Sequence, residues 1–175
     1  MMTMQQQRVT IHLAKENMKF SAGHFTIFGA GDRERLHGHN FVVEAVLTAD
    51  VMDNGMCFDY GIYKSRIVSL CRELTEWFIL PMFSPYLRIE ENGEHLVAVF
   101  GEERIPFLRK DVLLLPIVNA TIEEFAGYLL GRLSDDPDAI AAHRIAAIEV
   151  RVSSGPGQSA AKSLTLASRK RSVLR

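Results

Sequence analysis

Cysteine is scarce: the chain has two, Cys57 and Cys71. Their separation matches no metal-ligand spacing and suggests no disulfide framework. Cys71 falls among apolar residues of an expected helix and is expected in the core. No apolar run approaches the length of a membrane span, and Met1 to Gln7 lacks the apolar stretch of a signal peptide. A cytoplasmic protein is therefore expected, with no membrane partner. Charge of one sign is also missing. Lys plus Arg total 20 against 21 for Asp plus Glu, a net charge of −1, which gives no electrostatic reason to expect nucleic acid. A short basic run, Arg169-Lys170-Arg171 with Arg175, is more often a solvated terminus than a phosphate contact. There is no internal repeat and no linker, and 175 residues make most simply one domain spanning 1–175, burying about two-thirds of its unfolded surface.

What the chain does have is histidine concentrated in one place. Three of its six histidines fall between residues 20 and 41. His24 ends Phe20-Ser-Ala-Gly-His24, and His37 and His39 stand in Leu36-His37-Gly38-His39-Asn40. On a strand an i, i+2 pair points to one face. His24 lies 13 residues before His37 across a glycine-rich turn, Gly29-Ala30-Gly31-Asp32, and a hairpin would bring it back. Three neutral imidazoles converging from one sheet face leave a tetrahedral metal one open position, the pattern of a catalytic zinc. Gly38 fits, since a missing side chain lets a backbone or ligand approach. The plainer alternative is a chance surface pair with a satisfied core histidine. His95 and His143 have no partner in the motif and are expected at the surface.

The periodicities order the chain. Gln6 to Ala14 alternates with Val9, Ile11 and Leu13 on one face, a first strand. Asn17 to Phe25 is a second, then a charged loop 26–35, then a long third strand from Leu36 to Ala49. Its one face carries His37, His39, Phe41, Val43, Ala45 and Leu47. Asp53-Asn54-Gly55 signals a turn, and Phe58-Asp59-Tyr60-Gly61 opens a helix with Tyr63, Ile67, Leu70, Cys71, Leu74, Trp77 and Phe78 in a 3.6 period. Asp59 is the expected N-terminal anion, and Pro81 and Pro85 end the segment. An additional hairpin is expected around 86–115, turning at Asn92-Gly93. Thr121-Ile-Glu-Glu124 predicts a capping box for a helix that carries Ile122, Phe125, Leu129 and Leu133, broken by Asp135-Asp136-Pro137. Ile148, Val150 and Val152 alternate in a final strand, closed by Gly155-Pro156-Gly157. The sum is an α+β fold with a mainly antiparallel sheet.

The two histidine motifs, followed by Gly55-Met-Cys-Phe-Asp59-Tyr60-Gly61, closely resemble the 6-pyruvoyl-tetrahydropterin synthase and 6-carboxy-tetrahydropterin synthase family in order and spacing over residues 9 to 78. The likeness resumes from Leu115 to about Ala161. The resemblance implies zinc (Zn2+) held by His24, His37 and His39. It also implies the tunnelling fold (T-fold), an antiparallel sheet with two helices on one face. Family members form oligomers, usually hexamers, with active sites between subunits. Their substrate is a small-molecule pterin, 7,8-dihydroneopterin triphosphate.

Departures from the family pattern matter as much. Many members carry a cysteine just before His-Gly-His, and none lies between His24 and His37 here. Instead Glu34-x-x-His37-Gly38-His39 resembles a branch with glutamate in that role, whose members release 6-hydroxymethyl-7,8-dihydropterin, a step toward folate. A dry pocket would raise the pKa of Glu34 toward neutrality while the metal lowers it; the alternative is a solvated loop residue. Arg33 and Arg35 are then candidates for steering the triphosphate. The family's Asp-His pair falls on Thr75-Glu76, and its pterin-anchoring glutamate on Ser154 of Val150-Arg-Val152-Ser153-Ser154-Gly155. A serine cannot make the bidentate, charge-assisted pair of a carboxylate. Thr121 and Glu123 match the family's Thr-x-Glu and are candidate substrate contacts, unless they serve only to cap the helix. The expectation is a zinc-dependent pterin side-chain lyase with Glu34 as acid/base. Products named by the resemblance include the 6-carboxy compound of queuosine biosynthesis and the 6-pyruvoyl compound of tetrahydropterin biosynthesis. The alternative is a retasked or non-catalytic metal-binding member that binds another small molecule.

Overall fold

A computed structural model describes residues 7–166 of the chain; the basic run at 169–171 and Arg175 lie outside them. In chain order the elements are β1 (Arg8–Leu13), β2 (Lys19–His24), β3 (Ile27–Gly29), β4 (Asp32–Arg33), β5 (His37–Asp50), α1 (Gly61–Leu74), β6 (Trp77–Pro81), β7 (Leu87–Asn92), β8 (His95–Phe100), β9 (Glu103–Leu108), β10 (Val112–Leu115), α2 (Ile122–Leu133), α3 (Pro137–Ala142), β11 (Ile145–Gly155) and β12 (Gln158–Thr165). Among the described residues no helix is long and apolar enough to cross a membrane.

β5 organises the main sheet. Its first half pairs antiparallel with β2, from His24↔His37 to Lys19↔Val42, and its second half with β1, from Leu13↔Ala45 to Arg8↔Asp50. The two short strands therefore lie end to end along one edge of the long one. β11 runs antiparallel along the other edge and β12 beyond it, while β6 and β10 extend the sheet past β2 through parallel pairings. The alternation expected of β5 holds: Phe41, Val43, Ala45 and Leu47 are buried, and with Ile148, Val150 and Val152 of β11 they meet the apolar faces of α1 and α2 in one core. Phe20, Phe41 and Phe125 pack as an aromatic trio with centroids 4.8 to 5.7 Å apart. Such pairs add about 0.5–1.5 kcal/mol each beyond the area they bury.

Several elements depart from the expectations. α1 stops at Leu74, because Thr75 is extended and Glu76 takes a left-handed φ of 66° with its N–H donated to the Ser21 carbonyl at 2.7 Å. Trp77 and Phe78 then enter β6 beside β2; they kept the helical phase by chance, since both pack inward from a strand. Asp59 acts one residue outside the helix end, its carboxylate accepting the Gly61 N–H at 2.8 Å. The loop 26–35 folds as the small β3–β4 pair. The expected hairpin about Asn92-Gly93 forms as β7–β8, but β9 adds a third antiparallel strand and β10 leaves to join the main sheet. This three-stranded sheet closes a second core with Phe25, Ile27, Leu80 and Val112. Asp136-Pro137 does break α2, and then starts α3, with the Asp136 carboxylate accepting the Ala139 N–H at 2.9 Å. β11 is not the last strand: Gly155-Pro156-Gly157 turns the chain into β12, whose polar sequence hides its alternation. His95 is exposed as expected. His143 is not a surface histidine; it is half-buried, stacks 5.1 Å from Phe58 and lies 3.1 Å from the Tyr63 hydroxyl.

Candidate metal centre

The register of β2 against β5 sets His24 opposite His37 and Ala22 opposite His39. Cross-strand partners share a face, so the three imidazoles continue the row of Phe41 and Val43 toward the end of the sheet. Ring centroids stand 4.6, 5.4 and 4.9 Å apart, and one nitrogen of each ring lies within 4.8 Å of the others. A metal here would be held by one nitrogen from each of the three rings. Gly38 permits the approach of β2, since a Cβ there would lie 3.1 Å from the Ala22 carbonyl oxygen.

The tautomers follow from the partners. His24 Nδ1 lies 2.8 Å from the Ala120 carbonyl and His37 Nδ1 2.7 Å from that of Arg35. A carbonyl only accepts, so each Nδ1 carries a proton, which leaves Nε2 as the nitrogen of each ring that can serve as a ligand. His24 Nε2 is buried with no hydrogen-bond partner, the orphan that a cation would satisfy. Burial holds the His24 pKa below the ordinary histidine value; the charges of His37 and His39 add to this, against the pull of the Ala120 bond and Glu34. This favours the neutral, metal-ligating form.

Glu34 stands at the same site, with Oε2 3.7 Å from His37 Nε2. A cation or a proton between the carboxylate and the ring nitrogen would be attracted by both. The Thr26 N–H donates to Glu34 Oε2 at 2.9 Å, and the Glu34 N–H donates back to the Thr26 carbonyl at 2.8 Å. Burial pushes the Glu34 carboxyl up, but the Thr26 bonds and the charges of His37 and His24 outweigh it and leave the pKa below the usual value. The upward push that a dry pocket was expected to exert is present, and it is outweighed. Glu34 is ionised at neutral pH, the form in which it can accept a proton.

Other candidates sort by their contacts. Thr121 caps α2, its hydroxyl accepting the Glu124 N–H at 3.4 Å. The expected reciprocal box is half formed, because the Glu124 carboxylate accepts instead from the Val118 N–H at 2.8 Å. Glu123 is exposed in the first turn of α2. The link to the histidines is Ala120, one residue before the cap. Arg33 is not free to meet a triphosphate: Glu103 and the Glu34 carbonyl occupy its guanidinium. Arg35 is exposed. The Thr75 hydroxyl donates to the Cys71 carbonyl at 2.9 Å, while Glu76 borders a groove with Ser21, Asn40 and Asp111 beside His39. The Ser154 hydroxyl accepts from the Gln158 amide at 2.8 Å. No thiol belongs to the cluster; burial pushes the Cys71 thiol up to about 12. Sequence reading missed Asn119, whose side chain grips both main-chain groups of Ile27 at 3.1 and 2.8 Å and so ties the Ala120 loop to β3.

A long central strand bearing three convergent imidazoles, under two helices, defines an α+β chain with a candidate metal site. A family model described as 6-pyruvoyl tetrahydropterin synthase matches residues 13–163, and the chain belongs to that family of pterin synthases. A Methanocaldococcus jannaschii protein, provisionally named a 6-carboxy-5,6,7,8-tetrahydropterin synthase, is 28% identical over 144 residues, covering 82% of this chain and 88% of its own. The solved 6-pyruvoyltetrahydropterin synthase of Plasmodium vivax is 29% identical, with a TM-score of 0.87 over 91% of this chain and 99% of its own. A variant of that protein, 28% identical over the same shares and with the same TM-score, replaces with alanine a glutamate described as a catalytic residue. The fold is the tunnelling fold.

Proposed function

We propose that the chain is a zinc-dependent lyase of pterin side chains, acting on 7,8-dihydroneopterin triphosphate. The observation that carries this reading is the buried, unpartnered Nε2 of His24 in a cluster with His37 and His39, with the Glu34 carboxylate 3.7 Å from His37 Nε2. His24, His37 and His39 would hold the zinc, which when bound supplies Lewis acidity that lowers the pKa of a substrate hydroxyl. Glu34 accepts the proton that leaves the substrate side chain. The Thr26 N–H, on Oε2, keeps that carboxylate turned toward the histidines and ionised. The Plasmodium vivax glutamate described as catalytic supports assigning the base to Glu34. A glutamate in that place supports cleavage to 6-hydroxymethyl-7,8-dihydropterin over the 6-carboxy and 6-pyruvoyl products. Thr121 and Glu123 are the proposed pterin contacts, and exposed Arg35, with Arg33 committed elsewhere, meets the triphosphate. The working form is a cytoplasmic, single-domain protein in a homo-oligomer, a hexamer as in the family.

One observation favours a second reading, a retasked metal-binding member. Ser154, where the pterin-anchoring glutamate is expected, spends its hydroxyl on Gln158. Zinc analysis and turnover together test the proposal. Protein purified without chelator holds about one zinc per chain, and chelation abolishes turnover of the triphosphate. In the double variant His37→Ala/His39→Ala both are lost. Unchanged zinc in that variant contradicts the site, and full zinc with no turnover favours the second reading.

A further inference from the structure

The β7–β9 sheet contributes nothing to the histidine cluster, yet one of its side chains reaches the Glu34 loop. Glu103 opens β9. Its Oε2 accepts from Arg33 Nε at 2.7 Å and lies 2.5 Å from Nη2. The remaining arm of the same guanidinium, Nη1, donates to the main-chain carbonyl of Glu34 at 2.8 Å. One planar fork thus joins β9 to the backbone of the candidate base, a geometry that lysine cannot reproduce. The fork is also held sideways. The Arg33 side chain is 17% exposed, and its guanidinium lies 5.3 Å from the Phe25 ring and 5.9 Å from that of Phe100. Phe25 follows His24 directly, Phe100 ends β8, and both rings are buried in the second core.

The Glu34 loop needs such an outside anchor. β3 and β4 are three and two residues long, with a register shift between Ile27 and Gly29. A hairpin that short does not hold its own conformation. The reciprocal bonds between Thr26 and Glu34 point the carboxylate, but both residues belong to the same small loop. We propose that Arg33 and Glu103 are positioning residues, and that the three-stranded sheet is the frame that fixes the Glu34 carboxylate beside the histidine cluster. An ion pair whose carboxylate is 56% exposed adds little to stability. Its contribution is orientation, which catalysis feels far more strongly than folding does.

This inference rests on Glu34 as the base, so its test reads position apart from activity. In zinc-loaded protein, Glu103→Ala and Arg33→Lys are expected to lower kcat on 7,8-dihydroneopterin triphosphate by about 10–100-fold. KM and zinc content stay within about twofold, and the melting temperature stays within a few degrees. Glu103→Asp, which keeps the carboxylate, recovers most of kcat. Hydrogen exchange at the Thr26 and Glu34 amides speeds up by at least about tenfold in Glu103→Ala while amides of β5 keep their protection. Unchanged exchange at those two amides overturns the positioning role, as does wild-type kcat in Glu103→Ala. If the parent enzyme itself has no turnover, the lyase reading falls and the exchange result alone decides the positioning.

Discussion

Burial sets the acid–base behaviour of His24 before a metal does. The side chain is 4% exposed, and loss of water holds its pKa below the ordinary 6.5. Below that value the unfolded chain takes up a proton that the folded one resists. The stability is therefore complete above about 6.5 and is lost as pH falls from there toward the folded value. Chelated, metal-free protein should melt at a lower temperature at about pH 5.5 than at about pH 7.5, and His24→Gln should narrow the gap. A gap unchanged by that substitution in calorimetry would count against the burial argument. The His37/His39 pair was legible at this scale, because the two are two residues apart on a patterned strand, whereas His24 joined it through an assumed hairpin and the family resemblance. The supports of the triad were not. The Ala120 carbonyl lies 96 residues from His24 in sequence, Asn119 92 from Ile27, and Glu103 70 from Arg33, and no local pattern announces such pairs.

Strands were easier to foresee than the places where the chain changes direction. β5 announced itself by alternation, and α2 by its Thr121 cap. The end of α1 did not, because the left-handed turn at Glu76 is made by a residue with no special liking for it, and Trp77 and Phe78 stay in helical phase. β12 was hidden since an edge strand exposed along most of its length needs no apolar stripe. Where β6 meets β2, packing leaves no room: a Cβ at Gly23 would sit 2.6 Å from Phe78 Cδ2. The Phe78 ring has little freedom to yield, with Phe107 at 4.6 Å and Phe25 at 6.2 Å. Gly23→Ala should therefore cost about 1–3 kcal/mol in chemical denaturation, part of it regained with Phe78→Leu. Parent-like stability for Gly23→Ala would show that β6 can shift freely.

At the scale of the molecule, the sheet ends in β12 on one side and β10 on the other. β12 is an eight-residue edge long enough to template pairing with another chain. Light scattering at micromolar concentration should report a homo-oligomer, and a stable monomer would contradict that expectation. The α+β order was readable from periodicity, whereas the three-stranded β7–β9 sheet was half seen, through its Asn92-Gly93 turn alone. The proposed function has the three histidines and Glu34 cleave a pterin side chain. It is tested most directly by mass analysis of the products formed from 7,8-dihydroneopterin triphosphate by zinc-loaded protein, run beside Glu34→Gln. The parent should release a dihydropterin with a shortened side chain, and Glu34→Gln, with zinc content unchanged, should do so ~10²–10⁴ times more slowly. Intact triphosphate after incubation with the zinc-loaded parent, or equal rates for the two proteins, would contradict the account.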